Sequence, residues 1–282
     1  MPILDFRTPN SMVLKNSLYV TFFFFLFISC EEAIDIDLPT SETRLVIDAI
    51  IGFNDNNGDP IINGEVKLTL TGPFFQDETF PAENATATII DEQSGQSFSL
   101  VENAPGVFSA GFPSFELDRD YTLLVNYNDE VYTATQQLQK SPVIDMIEQG
   151  DGFLFDEEEE TEILISFTDI PNEINHYLFS FGFDNFLVVD DEFFQDGQLT
   201  FSYFYEEVEP GDIVAITLLG IDSNFATYAN LALAQSGEDG GGPFATPPAT
   251  LRGNIINETN SSNLPFGYFA LSEFDTKLLM IQ

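Results

Sequence analysis

The composition of this 282-residue chain is strongly acidic, because 47 Asp and Glu residues against eight Lys and Arg give a formal net charge of −39. A surface with this charge repels phosphate backbones, so nucleic-acid binding is excluded. Hydrophobic residues make up 44% of the chain and charged residues 20%, which is typical of a protein with a packed core. With one cysteine, Cys30, and one histidine, His176, the chain cannot form an internal disulfide or a zinc site of the Cys/His type.

The first predicted element is a hydrophobic leader over residues 1–29, in which Lys15 precedes an apolar run. A basic residue, an apolar run and a small residue in this order are typical of a secretory signal peptide, and we expect translation to start at Met12. The 15 uncharged residues between Lys15 and Glu31 would extend about 22 Å as a helix, short of a hydrocarbon core of about 30 Å. The leader is therefore predicted to be cleaved rather than to span a membrane.

Cys30 follows this apolar run directly, and the segment Phe27-Ile28-Ser29-Cys30 resembles a bacterial lipobox with Phe27 in the place usually held by Leu. The resemblance implies that Cys30 is acylated, for instance with palmitate, and that residues 30–43 form a lipidated tether. Several acyl chains on one residue, at about 0.8 kcal/mol per buried CH₂, hold a protein durably to a membrane. The alternative is an ordinary cleaved signal with an incidental cysteine.

An acidic segment follows the cysteine, with carboxylates at Glu31, Glu32, Asp35 and Asp37. It resembles the signal that directs Bacteroidota lipoproteins to the outer face of the outer membrane. This interpretation predicts a lipid-anchored protein of the outer membrane that faces the cell surface. A solvated acidic tether, or attachment that faces the periplasm, is the alternative.

Residues 44–140 are predicted to form an antiparallel β-sandwich of immunoglobulin or transthyretin type. Short segments such as 65–71 and 121–127 alternate apolar and polar residues, which is the period of a sheet with one buried face. Turn residues separate these segments at intervals of about 8–12 residues, as in β-sandwiches. Asn128-Asp129 is predicted to be a two-residue hairpin turn.

Residues 141–282 are predicted to form a second β-rich domain that contains one helix. Apolar residues at helical spacing predict a helix over 223–235, with Asp222 or Ser223 as its cap. A loop rich in Gly and Pro follows over 237–248. Further strands are predicted at 162–168, 176–183, 199–208, 212–221, 265–274 and 277–281.

No catalytic residue is predicted, and the protein is not expected to be an enzyme. His176 stands at the start of a predicted strand, and the chain has no Gly-x-Ser-x-Gly motif to supply a nucleophile. The 47 acidic residues supply so many carboxylate pairs that any one pair carries no information about glycosidase activity.

A calcium site is one interpretation of the turn residues 54–60. Asp55, Asn57 and Asp59 offer oxygen ligands at alternate positions, and calcium is bound by carboxylate and amide oxygens. The segment lacks the bidentate Glu of an EF-hand, since Val66 stands at the twelfth position counted from Asp55. An ordinary turn between strands is the alternative, and no other cofactor is predicted.

Several segments resemble a Bacteroidota family of outer-membrane lipoproteins of unknown function. In the first half these are residues 45–51, 84–95, 105–110 and 120–134; in the second half they include 174–181, 241–257 and 265–274. The second half is more specific, because Gly and Pro residues are followed there by Gly-Asn-Ile and then Gly-Tyr-Phe. Genes of this family commonly stand beside TonB-dependent transporters, so the resemblance implies a non-catalytic accessory lipoprotein for nutrient capture or uptake.

The residues predicted to contact a transporter barrel or a nutrient are Phe244 in the loop 237–248 and the aromatic residues Phe266, Tyr268 and Phe269. Long ordered loops often carry function, and a plain linker between the helix and the last strands is the alternative. The sequence leaves the nutrient open. The alternative function is that of a structural or adhesive surface protein with calcium-stiffened β domains.

Overall fold

The computed structural model describes residues 42–56, 59–72, 79–109, 114–155, 160–206, 208–236 and 251–282, and it leaves the side chains of Asn56 and Asp59 undescribed. Residues from Glu42 onward form one compact unit. Its described elements are eighteen strands and one helix. The fold class predicted from the sequence, mostly β with a single helix, is confirmed.

The strands follow the short alternating segments of the sequence. The first ten are β1 (Leu45–Asn56), β2 (Asp59–Asn63), β3 (Val66–Leu70), β4 (Phe80–Pro81), β5 (Thr86–Asp91), β6 (Ser97–Ser99), β7 (Val101–Ala104), β8 (Val107–Ser109), β9 (Asp120–Tyr127) and β10 (Glu130–Gln137). The remaining elements are β11 (Ile144–Gln149), β12 (Glu160–Thr168), β13 (His176–Gly182), β14 (Asn185–Asp190), β15 (Gln198–Glu206), β16 (Ile213–Ile221), the helix α1 (Ser223–Ser236), β17 (Ile256–Asn257) and β18 (Phe266–Met280).

One long sheet of ten strands is the centre of the fold. Its path is β14-β13-β16-β18-β1-β3-β8-β7, with β2 paired to β1 and β4 paired to β3. β18 lies in the middle, parallel to β1 along its first part and antiparallel to β16 along its second part. The first-half sandwich is therefore not antiparallel throughout, because a strand from the C-terminal end is inserted beside its first strand.

β18 replaces the two strands that the sequence predicts at 265–274 and 277–281. The predicted break falls at Asp275 and Thr276, which are polar but remain in register with β16. The Asp275 carboxylate accepts a hydrogen bond from the Ile144 amide at 2.9 Å, and the Thr276 hydroxyl lies 2.8 Å from that of Thr217. Polar residues are stable at this point of the strand because their side chains are hydrogen-bonded.

Two smaller sheets cover the same face of the long sheet, and each encloses its own hydrophobic core. They are β17-β10-β9-β5-β6 and β11-β12-β15. Side chains alternate between the faces of a strand, and along β18 Phe269 and Leu271 enter the first core while Leu279 packs against the second. Residues 138–144 lead the chain from the first core to the second. The long sheet is not interrupted there, because its strands are paired without a break from one core to the other.

The helix α1 lies on the opposite face of the long sheet. The Asp222 carboxylate caps its first turn by accepting hydrogen bonds from the amides of Asn224 at 2.8 Å and Phe225 at 2.9 Å. Phe225 packs with Tyr268 and Ala270, which point away from the first core. The helix begins and ends within one residue of the range expected from the sequence.

The turn at Asn128 and Asp129 joins β9 and β10 in the predicted place. Both residues have positive φ angles, 50° and 61°, and Glu130 pairs with Tyr127. This is the backbone that a two-residue hairpin requires, because its twist matches that of the strands, and Asn and Asp tolerate it well.

The Asp91 carboxylate fixes the turn after β5. It accepts hydrogen bonds from the amides of Ser94 at 3.1 Å and Gln93 at 2.9 Å, and from the guanidinium of Arg119 at 3.0 Å. These bonds, chiefly those with Ser94, favour the ionised carboxylate and hold the pKa of Asp91 below its ordinary value of 3.8.

We expect the stability that Asp91 contributes to depend on pH. A carboxyl whose pKa is lower in the folded than in the unfolded chain stabilises the fold above the unfolded pKa, and this contribution is lost as the pH falls through the folded pKa. The Asp91→Asn variant should therefore unfold at lower urea concentration than the unmodified protein near neutral pH, and the gap should narrow below about pH 4. Asp129→Asn, in an exposed turn, is the control. A difference in urea midpoint between Asp91→Asn and the unmodified protein that stays constant with pH would contradict the stabilising role of the Asp91 carboxylate.

Candidate functional site

Three of the predicted site residues lie outside the described residues. They are Cys30, Asn57 and Phe244, together with the whole loop 237–248. The acylation of Cys30 and the contact role of Phe244 stay predictions.

The predicted calcium turn is mostly part of a β-hairpin. Asp55 lies on β1 opposite Pro60, and Asn56 lies opposite Asp59 on β2. The Asp55 side chain is exposed. In the described ranges no three His, Cys, Asp or Glu side chains are grouped as a metal site requires. A calcium role for Asp55, Asn57 and Asp59, and with it the adhesive alternative, stays a prediction.

The three aromatic residues predicted for contact lie side by side on β18, in three different environments. Phe269 is completely buried in the first core. Tyr268 is buried against α1, with its ring centroid 4.8 Å from that of Phe225 and 4.9 Å from that of Tyr228. Phe266 is half-buried, and the Arg44 guanidinium lies 5.5 Å from its ring centroid. Of the three, only Phe266 has ring surface available to a partner.

The Gly-Asn-Ile and Gly-Tyr-Phe segments of the family resemblance contact each other. The Asn254 amide group exchanges two hydrogen bonds with the backbone of Phe269, donating at 2.8 Å and accepting at 2.9 Å. Gly253 lies so close to Gly267 that a Cβ at Gly253 would be 1.6 Å from the Gly267 carbonyl oxygen. These motif residues therefore hold the segment at Gly253-Asn254 against β18, which is a structural role.

Buried carboxylates in the second half also have structural partners. Asp169 accepts hydrogen bonds from the Tyr177 hydroxyl at 2.5 Å and the Asp196 amide at 2.8 Å, and Asp191 accepts one from the Asn175 amide at 2.9 Å. Burial, and then the bond to Asp169, raise the pKa of Tyr177. The network ties the loop before β13 to the loop after β14.

A surface cavity with a volume of about 480 Å³ is called the aromatic pocket below. Its size is within the range of about 300–1,000 Å³ found for ligand sites. It lies between the turn of the β13–β14 hairpin and the end of β15. The lining residues are aromatic, with one amide and one carboxylate: Phe183, Asn185, Tyr203, Phe204, Tyr205 and Glu206.

The rings of the aromatic pocket are held by one another. The Tyr203 ring stacks on that of Phe181 at a centroid distance of 3.8 Å, and it meets the Tyr205 ring edge to face at 4.8 Å. The Tyr205 hydroxyl donates a hydrogen bond to the Phe181 carbonyl oxygen at 2.8 Å. Burial raises the pKa of Tyr205 above its ordinary value of 10. The wall formed by β15 is thus fixed before any ligand arrives.

A second cavity, of about 290 Å³, lies on the other side of the β13–β14 hairpin, along α1. Its lining is almost entirely apolar, and Asp184 of the hairpin turn is the one charged residue among Ile50, Leu178, Phe186, Phe225, Tyr228, Ala229, Ala232 and Leu233. The adjacent turn residue, Phe183, lines the aromatic pocket. Neither cavity was predicted from the sequence, which gave no turn signal at Phe183-Asp184.

Together the fold and these cavities define a β protein with two cores between its sheets, a third buried cluster under α1, and concave surfaces. The chain belongs to the family described as a domain of unknown function, DUF4249, whose model matches residues 31–277.

No curated protein matches the chain. Among solved structures the chain is similar to a DUF4785 family protein from Legionella pneumophila, with 8% sequence identity and a TM-score of 0.22. The match covers 62% of this chain and 52% of the Legionella protein, so the chain spans about half the length of that protein. Within the described residues, no helix has the length and apolar character needed to cross a bilayer.

Proposed function

We propose that the protein is a non-catalytic lipoprotein of the outer membrane, anchored through Cys30, that assists a TonB-dependent transporter in the capture or uptake of a nutrient. The observation that carries the proposal is the order of the N-terminal sequence. A hydrophobic leader ends in Phe27-Ile28-Ser29-Cys30, and the match to the family domain begins at the next residue.

The length of chain between the proposed anchor and the folded body is compatible with contact to a membrane partner. The described chain begins at Glu42, and residues 30–41 lie between it and the proposed lipid. Twelve extended residues can reach about 40 Å, which is enough to let the body contact a neighbouring membrane protein. The rigid sheets support loops and cavities for such contact, and this role requires no proton transfer.

Replacement of the anchoring thiol tests the proposal directly. We expect the intact protein to incorporate a radiolabelled fatty acid and to sediment with membranes, whereas Cys30→Ser should lose the label and be released. Ser29→Ala, which keeps a small residue before the cysteine, is the matched control and should behave like the unmodified protein. An unmodified thiol at Cys30 in the native protein, or a protein that retains its leader, would contradict the proposal.

The transporter role needs a separate test, because an anchored protein could act alone. We expect affinity purification of the tagged protein from detergent-solubilised native membranes to recover a TonB-dependent transporter in stoichiometric amount. An unrelated tagged lipoprotein from the same membrane is the control. Recovery of the lipoprotein without any transporter would contradict the accessory role and leave the anchor unaffected.

A further inference from the structure

We propose that the aromatic pocket binds an organic cation, that is, an ammonium or guanidinium group held against aromatic rings and close to Glu206. This inference goes beyond the accessory role and does not rest on it. It depends on the ring geometry, the local charge and the conformation of Phe183.

The rings supply the first argument. The Phe183 and Tyr205 rings are nearly perpendicular, at 79°, with centroids 6.5 Å apart. Tyr203 is likewise nearly perpendicular to Tyr205, at 78°. Cations are attracted to the faces of Tyr and Phe rings within about 6 Å of the centroid, and cages of several rings recognise quaternary ammonium groups. Tyr205 itself is buried. The ring surface within reach of a cation in the cavity of about 480 Å³ belongs to the exposed Phe183 and to the half-buried Tyr203 and Phe204.

The charge distribution supplies the second argument. Glu206 lines the pocket, and its register partner across the β12–β15 pair is Glu160. The Glu160 carboxylate accepts hydrogen bonds from the amides of Leu154 at 2.6 Å and Phe155 at 3.2 Å, so the charge proposed to meet the cation is that of Glu206. None of the described basic residues, Arg44, Lys67, Arg119, Lys140, Arg252 and Lys277, lines this pocket. The net charge of −39 also concentrates cations near the surface.

The conformation of Phe183 supplies the third argument. This residue occupies the first position of the β13–β14 turn with a φ angle of 53°, followed by Asp184 at 61°. Two-residue turns with positive φ favour Asn, Asp or Gly, and positive φ is unusual for a bulky side chain. The Phe183 side chain is also 75% exposed, so core packing does not explain it. An exposed aromatic ring at this position is available to a ligand in the pocket.

Choline is the probe for the test, and its neutral carbon analogue, 3,3-dimethylbutan-1-ol, is the control ligand of the same shape. We expect the purified full-length protein to bind choline in calorimetric titration, and to bind the neutral analogue at least about tenfold more weakly. Phe183→Asn should weaken choline binding by about fivefold or more, and so should Glu206→Gln. Phe183→Asn suits the turn better than Phe does, so a loss of binding cannot result from unfolding.

The matched control variant is Phe193→Ala, which removes an aromatic ring that is 91% exposed in the loop after β14 and should leave binding unchanged. Equal binding of choline and its neutral analogue, or unchanged binding by Phe183→Asn, would overturn the proposal. Titration with Nα-acetyl-lysine amide and Nα-acetyl-arginine amide identifies the source of the cation. Stronger binding of these amides indicates a basic side chain of a protein partner, and stronger binding of choline indicates a free quaternary ammonium compound.

Discussion

Replacement of Gly267 by Ala is expected to destabilise the protein by more than about 4 kcal/mol, or to prevent folding. Gly267 has a φ angle of 99°, and a Cβ at this position would lie 1.9 Å from the carbonyl oxygen of Ile47. The obstacle is the backbone of β1, which cannot move aside without breaking the pairing of β1 with β18. Urea denaturation followed by far-UV circular dichroism measures the change in the free energy of unfolding.

Gly95→Ala is the matched control for Gly267→Ala. Gly95 also has a positive φ angle, 70°, but nothing lies within 4 Å of the Cβ that Ala would add. Its replacement should therefore have only the effect of the left-handed backbone, about 1–2 kcal/mol. Equal losses of stability in the two variants would show that the close approach of β18 to β1 is not what requires glycine at 267.

Phe179→Ala is expected to destabilise the protein by about 3–5 kcal/mol, because it opens a cavity in the second core. Phe179 is completely buried, and its ring packs against those of Phe167 at 5.4 Å, Phe201 at 5.2 Å and Phe181 at 6.0 Å. Three neighbouring rings lose a contact when this ring is removed. A fall in the urea midpoint at unchanged slope would identify a loss of stability without a change in the denatured state.

Phe193→Ala is the control for Phe179→Ala, since it removes the same side chain from a site where it is 91% exposed. We expect a change within about 0.5 kcal/mol, as for most surface substitutions. A similar loss in the two variants would mean that the rings around Phe179 do not form a tightly packed core.

Local signals allowed the helix and the β9–β10 turn to be predicted from the sequence. Asp222 provides a cap for residues 223–236, and the apolar spacing within that range has the helical period. Asn128 and Asp129 both favour the positive φ angles of a two-residue turn. In these segments the residues that determine the conformation are neighbours in the chain, so their structure can be predicted from a single sequence.

The position of β18 could not be predicted, because its partner β1 is more than 200 residues away in the chain. Val46 pairs with Phe266 only after most of the protein has been made. The burial of Tyr268 and Phe269 depends on this pairing, since a strand at the centre of a sheet is covered on both faces by other elements. The same residues on an edge strand would be more exposed.

The aromatic pocket was missed for a related reason. The aromatic run of β15 indicates packing, and Phe183 is not a turn-forming residue, so neither marks a site when taken alone. The pocket exists because the β13–β14 turn meets the end of β15, and these segments lie on different sheets. The feature in the sequence that could have drawn attention to it is an aromatic residue in a turn, Phe183-Asp184, near an aromatic strand that ends in Glu206.

The parallel pairing of β1 with β18 also determines how the protein responds to mechanical load. A pull that enters at Glu42 and leaves beyond Met280 runs along both strands. The eight residue pairs from Val46–Phe266 to Phe53–Glu273 then resist in shear and share the force, so they do not open one after another like a zipper. The folded body is therefore expected to resist a load applied between these two points.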